Sequence, residues 1–365
     1  MRNEKITNKE AICLLMIFIL GSTYILGTGT ESKQDAWISV IFGLFMSLPI
    51  LIIFSRIMSL YPEKGLFEII EETFGKVAGK VFILLYIWYS FHLGALVVRN
   101  FGEFINTVAM PETPKFVPMF CLVMVAIPAV KSGIEVLART SAYLLPVILL
   151  IILIVQLLGF PLLDFNNIKP IFNNGWQLIL KGGASTFAFP FAETVLFIGI
   201  FSSLKTKKSL YKVFLLGTAI AGFLLVIITL RNILILGPVE TKFYFPAHVA
   251  VSRIRIGDYF ERLELTVAVI FVVGVFIKLS ICLLVACKGI AHLFHLDDYR
   301  SIVIQTGLLM LYFSYCLYYS IMEMGEWAFK VYFYYAFPFQ VILPMIILVI
   351  GEIKQRRRRK QLSLN

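Results

Sequence analysis

Long apolar runs recur along this chain of 365 residues, and short polar connections separate them. A run of roughly 17–25 apolar residues can cross the ~30 Å hydrocarbon core of a membrane as one helix. Such runs lie at 11–29, 36–60, 77–107, 115–131, 134–159, 177–204, 210–236, 263–290, 301–320 and 331–353. The pattern predicts an all-α integral membrane protein, with about ten transmembrane helices in a single domain over 1–365.

Composition and charge agree with this prediction. The chain is 59% hydrophobic and 15% charged, and its mean hydropathy of +0.87 lies above the range of soluble globular proteins. A formal net charge of +11 would suit a nucleic-acid partner, but Lys and Arg are concentrated in alternate connections. With the N-terminus inside, this bias places both termini in the cytoplasm. The basic tail, 354–365, follows a helix directly, so we expect it to contact anionic membrane lipids and no nucleic acid.

Polar signals between the runs predict three local structures. Thr7 and Glu10 have the spacing of a capping box, which predicts that the first helix begins there. Apolar residues at helical spacing over 65–75 predict a short amphipathic helix on the cytoplasmic side. The long outer connection at 238–262 predicts either a lid or a helix folded over the surface.

Two of the runs contain residues that interrupt helices. The sixth run reads Lys181-Gly-Gly-Ala-Ser-Thr-Phe-Ala-Phe-Pro190-Phe-Ala-Glu193, and the first reads Gly21-Ser-Thr-Tyr-Ile-Leu-Gly27-Thr-Gly29. Non-helical backbone survives inside a membrane only where protein or trapped water covers it, and in transporters such breaks hold the substrate. In the first run, the small residues could equally serve close helix packing. Although no literal repeat is visible, the two positions are equivalent in two inverted five-helix halves, 1–159 and 177–353.

Four of the charged residues inside the runs are candidates for a structural or functional role. Arg99 and Glu103 are four residues apart and share one helix face, as a structural ion pair or an outer gate. Lys278 lies in the middle of the eighth run, where an ammonium requires a partner or a polar interior. Glu193 follows Pro190 closely, and it could cap the inner half-helix, join a charge network with Lys278, or contact a ligand.

Three stretches of the chain carry a resemblance to a known family. They are Gly21 to Ile38, the segment Phe189-Pro-Phe-Ala-Glu193, and Phe245-Pro-Ala onward through Asp258-Tyr-Phe-Glu-Arg-Leu-Glu264 to Phe276-Ile-Lys278. Together they resemble the endospore germination permeases, the B subunits of spore nutrient-germinant receptors, within the amino acid-polyamine-organocation superfamily. The likeness covers nearly the whole chain.

The resemblance implies a LeuT-like fold of two inverted five-helix repeats with broken helices 1 and 6. It also implies residence in the spore inner membrane, assembly with an A subunit and a lipoprotein C subunit, and binding of a germinant such as an amino acid. Transporters of the superfamily usually have a tighter Gly-x-Gly break in the first helix than Gly21-Ser22-Thr23 offers. Because of this difference, the sequence locates the first break only to within several residues.

An amino acid has two charges that suit two broken helices. Free N–H groups at the start of a half-helix hold a carboxylate, and free carbonyls at the end of another hold an ammonium. We expect the carboxylate at the Gly21 to Thr23 turn, the ammonium near Gly183 to Ser185, and aromatic rings shaping the side-chain pocket. The predicted ligand-binding residues are Gly21, Ser22, Thr23, Gly183, Ala184, Ser185, Thr186, Phe187 and Phe189.

Three functions remain open for this arrangement. The first is a receptor subunit that senses a germinant, the second is a proton-coupled amino-acid or amine transporter, and the third is an ion or water channel component. In this superfamily the eighth helix faces the first where sodium-coupled members bind an ion, so we hypothesise that Lys278 supplies a positive charge there instead of sodium. The chain has no nucleophile–base arrangement and no phosphate-binding glycine loop, so we expect no enzyme, cofactor or metal site.

Overall fold

The computed structural model describes residues 5–173, 175–204, 209–255 and 262–362, and these residues are mainly helical. Short 3-10 and π turns join or interrupt the α-helices. The α-helices are α1 (Asn8–Leu26), α2 (Ala36–Leu60), α3 (Leu66–Phe74), α4 (Lys76–Phe104), α5 (Phe116–Ser132), α6 (Ile134–Gly159), α7 (Trp176–Thr186), α8 (Leu210–Leu236), α9 (Pro246–Ser252), α10 (Glu264–Leu293), α11 (Val303–Cys316), α12 (Ile321–Glu326), α13 (Tyr332–Phe337) and α14 (Leu343–Leu362).

All ten predicted spans are helical, and the predicted all-α membrane fold is confirmed. Within the described residues, seven helical segments are long and apolar enough to cross a membrane by themselves. The other three spans are shorter or interrupted: α5, α11, and the broken sixth span that begins with α7.

The tenth span begins earlier than the sequence predicts. It starts at Ile321 and continues through α12 and α13 into α14, with π turns at Trp327–Val331 and Pro338–Ile342. The Ser320 hydroxyl caps this start by accepting from the Glu323 N–H at 3.2 Å. The predicted start at 331 is wrong because Glu326 and Lys330 resemble a polar connection, whereas they form an ion pair within the helix at 2.9 Å.

The remaining local predictions concern short polar segments. The capping box at Thr7 and Glu10 is confirmed, with each residue bonding the backbone of the other. The amphipathic helix predicted over 65–75 is confirmed as α3, whose apolar face is buried. The described part of the connection 238–262 takes the helical alternative as α9, while residues 256–261 lie outside the described residues.

Helices α1 and α10 are in close backbone contact. A Cβ placed on Gly274 of α10 would lie 2.2 Å from the Cα of Gly21, so the two backbones touch. Helix α1 runs without interruption through Gly21, Ser22 and Thr23, and the Thr23 hydroxyl bonds the Ile19 carbonyl within the same helix. The predicted break at Gly21 to Thr23 is therefore wrong, because the small residue at Gly21 serves close packing instead.

The first and last described residues of the chain lie on one face of the bundle, which we call the terminal face. Helix α14 reaches the end of α2 there, where Gln355 donates to the Leu60 carbonyl and Arg56 pairs with Glu352 at 2.6 Å. Ile6, just before α1, pairs with Leu204 in an isolated bridge. The bridge places the end of the sixth span on the terminal face as well.

Candidate ligand-binding site

The first span opens at Gly27 to Gly29. Helix α1 ends at Leu26, and Gly27 and Gly29 have φ angles of 72° and 69°. Only glycine adopts this left-handed region without a steric penalty from Cβ. A 3-10 segment, Thr30–Asp35, then leads into α2. The chain therefore leaves the helix one to two turns after the predicted position, at the second group of glycines in the same string.

The sixth span opens at Phe189. Its φ and ψ of −131° and 109° are extended, between α7 and the 3-10 segment Ala192–Gly199. Pro190 lacks an N–H, and a proline disfavours helical angles at the residue before it. The predicted free carbonyls at Gly183 and Ala184 are wrong, because both accept from the Phe187 N–H.

Hydrogen bonds join the two openings to each other. The Ser185 hydroxyl donates to the Glu31 Oε1, which links α7 to the segment after Gly29. On the same side, Ser39 of α2 contacts the Ser32 hydroxyl at 2.7 Å and donates to the Ile179 carbonyl at 3.0 Å. The segment between the first two spans is thus fixed against the sixth span.

A cavity lies between the two openings. The cavity has a volume of about 90 Å³, which is several times the space that one water molecule needs. Its walls are mostly apolar, with a few polar side chains. They are formed by Ser22, Leu26, Gly27, Thr28, Gly29, Glu31, Leu93, Leu96, Val97, Asn100, Ser185, Thr186, Phe189, Glu193, Tyr244, Lys278, Tyr318, Met324, Gly325, Trp327, Ala328, Phe329 and Tyr332.

The predicted ligand residues divide into two groups in the structure. Those that line the cavity are Ser22, Ser185, Thr186 and Phe189, and those that do not are Gly21, Thr23, Gly183, Ala184 and Phe187. Gly183 instead faces α2, where a Cβ would lie 2.5 Å from the Phe42 ring. Glycines in this chain therefore mark helix contacts at Gly21 and Gly183, and openings at Gly27 and Gly29.

Glu193, Lys278 and Tyr332 form one wall of the cavity, which we call the ion-pair wall. The Lys278 ammonium bonds Glu193 Oε2, and the Tyr332 hydroxyl donates to Glu193 Oε1. Glu193 and Lys278 are fully buried. The rings of Phe18 and Phe189 lie 5.1 Å and 4.7 Å from the Lys278 nitrogen. The charges are thus paired and hydrogen-bonded, as buried ions must be.

Ser22, Glu31 and Ser185 form a second wall, which we call the loop wall. One oxygen of the Glu31 carboxylate accepts from Ser185. The other oxygen, Oε2, is buried and has no hydrogen-bond partner among the described residues, and the same holds for the hydroxyl of the fully buried Ser22. Since most buried polar groups are bonded, two orphaned atoms at one cavity indicate a place for a ligand or water.

Gln340, a residue that the sequence did not single out, forms hydrogen bonds beside the opening of the sixth span. Its side-chain amide donates to the Ala188 carbonyl and to the Tyr89 hydroxyl, each at 2.8 Å. Ala188 directly precedes Phe189, where the backbone is extended and no longer helical. Gln340 is fully buried. A backbone acceptor freed by the opening is therefore satisfied by a side chain from the tenth span, as membrane burial requires.

Most of the other cavity residues that the sequence did not predict belong to the third and tenth spans, while Tyr244 and Tyr318 lie outside these spans. The tenth span supplies Met324, Gly325, Trp327, Ala328, Phe329 and Tyr332, and the third supplies Leu93, Leu96, Val97 and Asn100. The sequence did contain a signal for the earlier start of the tenth span. Ser320 and Glu323 have capping-box spacing, and Glu326 and Lys330 have the i,i+4 spacing of a helical ion pair. The third span offered no comparable signal.

Arg99 and Glu103 lie beside the cavity but do not line it. The pair is buried, with 2.9 Å between Arg99 Nε and Glu103 Oε1, and Lys115 reaches the same oxygen at 2.7 Å. Arg99 also donates to the carbonyls of Tyr315, in the last turn of α11, and Tyr318, just past its end. This arrangement satisfies freed carbonyls and fastens the ninth span to the third.

Two interrupted spans around a cavity, within a bundle of ten helical spans, define the LeuT-like class of membrane transporters. Solved structures of this class superpose on the chain. Mhp1, a nucleobase-cation-symport-1 family transporter with bromovinylhydantoin bound, gives a TM-score of 0.69 at 12% identity over 88% of this chain and 74% of Mhp1. MhsT in complex with L-phenylalanine gives 0.68 at 12% identity, over 95% of this chain and 89% of MhsT. These likenesses show the fold.

The chain belongs to the family of spore germination proteins, whose family model matches residues 5–323. Spore germination protein KB of Bacillus subtilis (strain 168) is 29% identical over 369 residues, which cover 99% of this chain and 98% of that protein. Spore germination protein XB of Bacillus anthracis is 26% identical, over 69% of this chain and 70% of its own length. The protein is therefore a multi-pass membrane permease of the germinant-receptor B type, and not an enzyme.

Proposed function

We propose that this protein is the subunit of a spore germinant receptor that binds a small nutrient, an amino acid, in the central cavity and thereby triggers germination. One observation carries the proposal: the cavity lies between both helix openings and has orphaned polar atoms on its loop wall. The family membership and the ligand-bound transporters of the same fold support it. Ser22, Ser185, Thr186 and Phe189 remain in the proposed site.

The backbone around Gly27 to Gly29 supplies complementary charge in this proposal. The last carbonyls of α1, near Leu26, are the negative end of a helix dipole and attract an ammonium. Because both openings border the ligand, a ligand that prefers one arrangement of them shifts the population of receptor conformations. That shift is the proposed signal.

The ion-pair wall takes the part of a coupling ion in this proposal. Lys278 supplies a positive charge to Glu193, so binding in this proposal requires no sodium. We expect ligand affinity to be unchanged when potassium replaces sodium in the buffer. A requirement for sodium would contradict this assignment.

Location and partners follow from the family and from the distribution of charge. We propose that the terminal face is cytoplasmic, because basic residues lie near it and the positive-inside rule favours that side. We propose residence in the spore inner membrane and assembly with the receptor's A and C subunits. Co-purification of tagged A and C subunits with this chain from spore membranes tests the assembly. Recovery of the chain alone from intact membranes would contradict it.

The cavity itself is tested by two neighbouring aromatic residues. Phe189 lines the cavity and Phe187 does not, so Phe189→Ala and Phe187→Ala form a matched pair of truncations in one turn. In a binding titration across the amino acids with purified protein, we expect Phe189→Ala to change the affinity or the preferred side chain. Phe187→Ala should retain the wild-type order of ligands. Equal effects of both variants would place the site elsewhere.

The transporter fold supports a second function, proton-coupled uptake of an amino acid or amine. Liposomes that contain this chain alone distinguish the two functions. Saturable uptake of a bound labelled amino acid would favour the transporter, and binding without uptake would favour the receptor subunit. Conductance without saturable uptake would favour a channel component.

A further inference from the structure

The charged residues of the cavity wall do not cancel. Glu31, Glu193 and Lys278 are the formally charged residues among those that line it. Glu193 and Lys278 neutralise each other in the ion-pair wall. Glu31 makes no salt bridge among the described residues, and Lys181, one turn before its partner Ser185, is exposed. Among the described residues, the cavity therefore has one carboxylate without a salt-bridge partner, on the loop wall, and the charge of Lys181 acts on it without forming an ion pair.

The groups nearest this carboxylate also favour a cation. Glu31 Oε2 and the Ser22 hydroxyl oxygen are both acceptors, both buried, and both without a partner among the described residues. Leu26, the last residue of α1, lines the same cavity, and the carbonyl end of a helix attracts positive charge. An ammonium group has three donors and no acceptor. Each of these acceptors on the cavity wall can therefore receive a hydrogen bond from an ammonium group.

We infer that the ligand is recognised by its protonated amino group, which pairs with Glu31, and that the ligand's carboxylate is dispensable for binding. This inference rests on the proposed function, since it concerns the same cavity. The ion-pair wall supports the second half of the inference. Lys278, the lysine of the cavity wall, is already bonded to Glu193, so a ligand carboxylate would have to displace that bond. The ligand class is a small primary amine with an apolar substituent, which includes the neutral amino acids.

Matched probes separate the two charged groups of an amino acid. L-valine is compared with isobutylamine, which lacks the carboxylate, and with 3-methylbutanoate, which lacks the amino group. L-leucine is compared in the same way with isoamylamine and 4-methylpentanoate. Each is titrated calorimetrically into the full-length protein in lipid nanodiscs. We expect the amine to bind within about tenfold of its amino acid, and the acid to bind at least about a hundredfold more weakly.

Glu31→Gln tests the partner of the amino group. The amide keeps an acceptor for Ser185 but removes the charge, so we expect the amine and the amino acid to lose at least about tenfold in affinity. Glu326→Gln is the matched control, because Glu326 lies in the tenth span, is exposed and does not line the cavity. It should bind all probes like the wild type.

The outcomes separate the inference from the proposed function. If the acid binds as tightly as the amine, or if Glu31→Gln binds like the wild type, the amine assignment is overturned while the cavity remains a binding site. If no amino acid, amine or acid binds the wild-type protein, the proposed function fails, and the amine assignment fails with it.

Discussion

The ion-pair wall and the loop wall face the same cavity but differ in how completely their polar atoms are bonded. In the ion-pair wall, both oxygens of Glu193 have partners, in Lys278 and Tyr332. In the loop wall, Glu31 keeps one buried oxygen without a partner among the described residues, and so does Ser22. A completed network stabilises the fold, whereas an incomplete one is left to be completed by a ligand. The comparison assigns stability to one wall and recognition to the other.

The backbone elements that carry the two walls also differ, since one wall lies on helices and the other on a turn. Lys278 lies within the longest helix of the described chain, α10, and Tyr332 begins α13. The loop wall is carried by the glycine turn at Gly27 and Gly29 and the short 3-10 segment after it. The ion-pair wall is therefore the more rigid side of the cavity, and the loop wall is the more adaptable side. We expect substitutions in the ion-pair wall to lower mainly stability, and substitutions in the loop wall to lower mainly ligand binding.

The largest expected effect comes from Lys278→Met. Removing one member of a fully buried ion pair leaves the other charge uncompensated, which costs about 3–5 kcal/mol. We expect a large loss of thermal stability in detergent, measured by the melting temperature of the purified protein. The double variant Lys278→Met with Glu193→Gln should recover most of it, because both charges are gone. Equal losses in the single and double variants would show that the pair does not stabilise the fold.

The sequence predicted the span pattern because burial in lipid requires long apolar runs whatever the tertiary contacts are. It also placed Glu193 and Lys278 among the candidates for a charge network, since each is an ionisable residue within an apolar run. The ion pair itself required the structure, because α10 and the sixth span are distant in sequence. The fold class and the charged centre of the site could therefore be predicted from sequence, but their contacts could not.

The positions of the two openings could not be predicted, for a physical reason that the glycines make clear. Gly21 and Gly27 lie in one short string, and each lacks a Cβ. Their different roles appear only in the folded structure: Gly21 packs against the backbone of Gly274, whereas Gly27 adopts a left-handed φ. Likewise, Gln340 became part of the site through a carbonyl that it meets only in the folded bundle.

Gly274→Ala is expected to have the next largest effect. Its new Cβ would lie 2.2 Å from the Gly21 Cα, and a backbone cannot rotate away as a side chain can. Helix α1 must therefore shift from α10, at a cost of about 3 kcal/mol, the upper end for overpacking. Gly199→Ala is the control, because its Cβ would make only ordinary contacts at 3.6 Å or more. Similar melting temperatures for both alanine variants would contradict the close helix contact.

Tyr332→Phe should have an intermediate effect. It removes the hydroxyl that donates to the buried Glu193 Oε1, and a hydrogen bond to a charged group contributes about 1.5–3 kcal/mol. The ring and its packing remain. We expect a melting temperature between those of the wild type and Lys278→Met. A wild-type melting temperature would mean that another donor completes Glu193, and the ion-pair wall would then not depend on the tenth span.

The smallest expected effect on stability, and the sharpest test of the comparison, is that of Glu31→Gln without ligand. Only one Glu31 oxygen has a partner to lose, the Ser185 hydroxyl, and an amide oxygen can still accept that bond. Removing an uncompensated buried charge also offsets part of any loss. We therefore expect the unfolding free energy to change by less than about 1 kcal/mol. A loss as large as that of Lys278→Met would mean that Glu31 supports the fold, and the loop wall would no longer differ from the ion-pair wall.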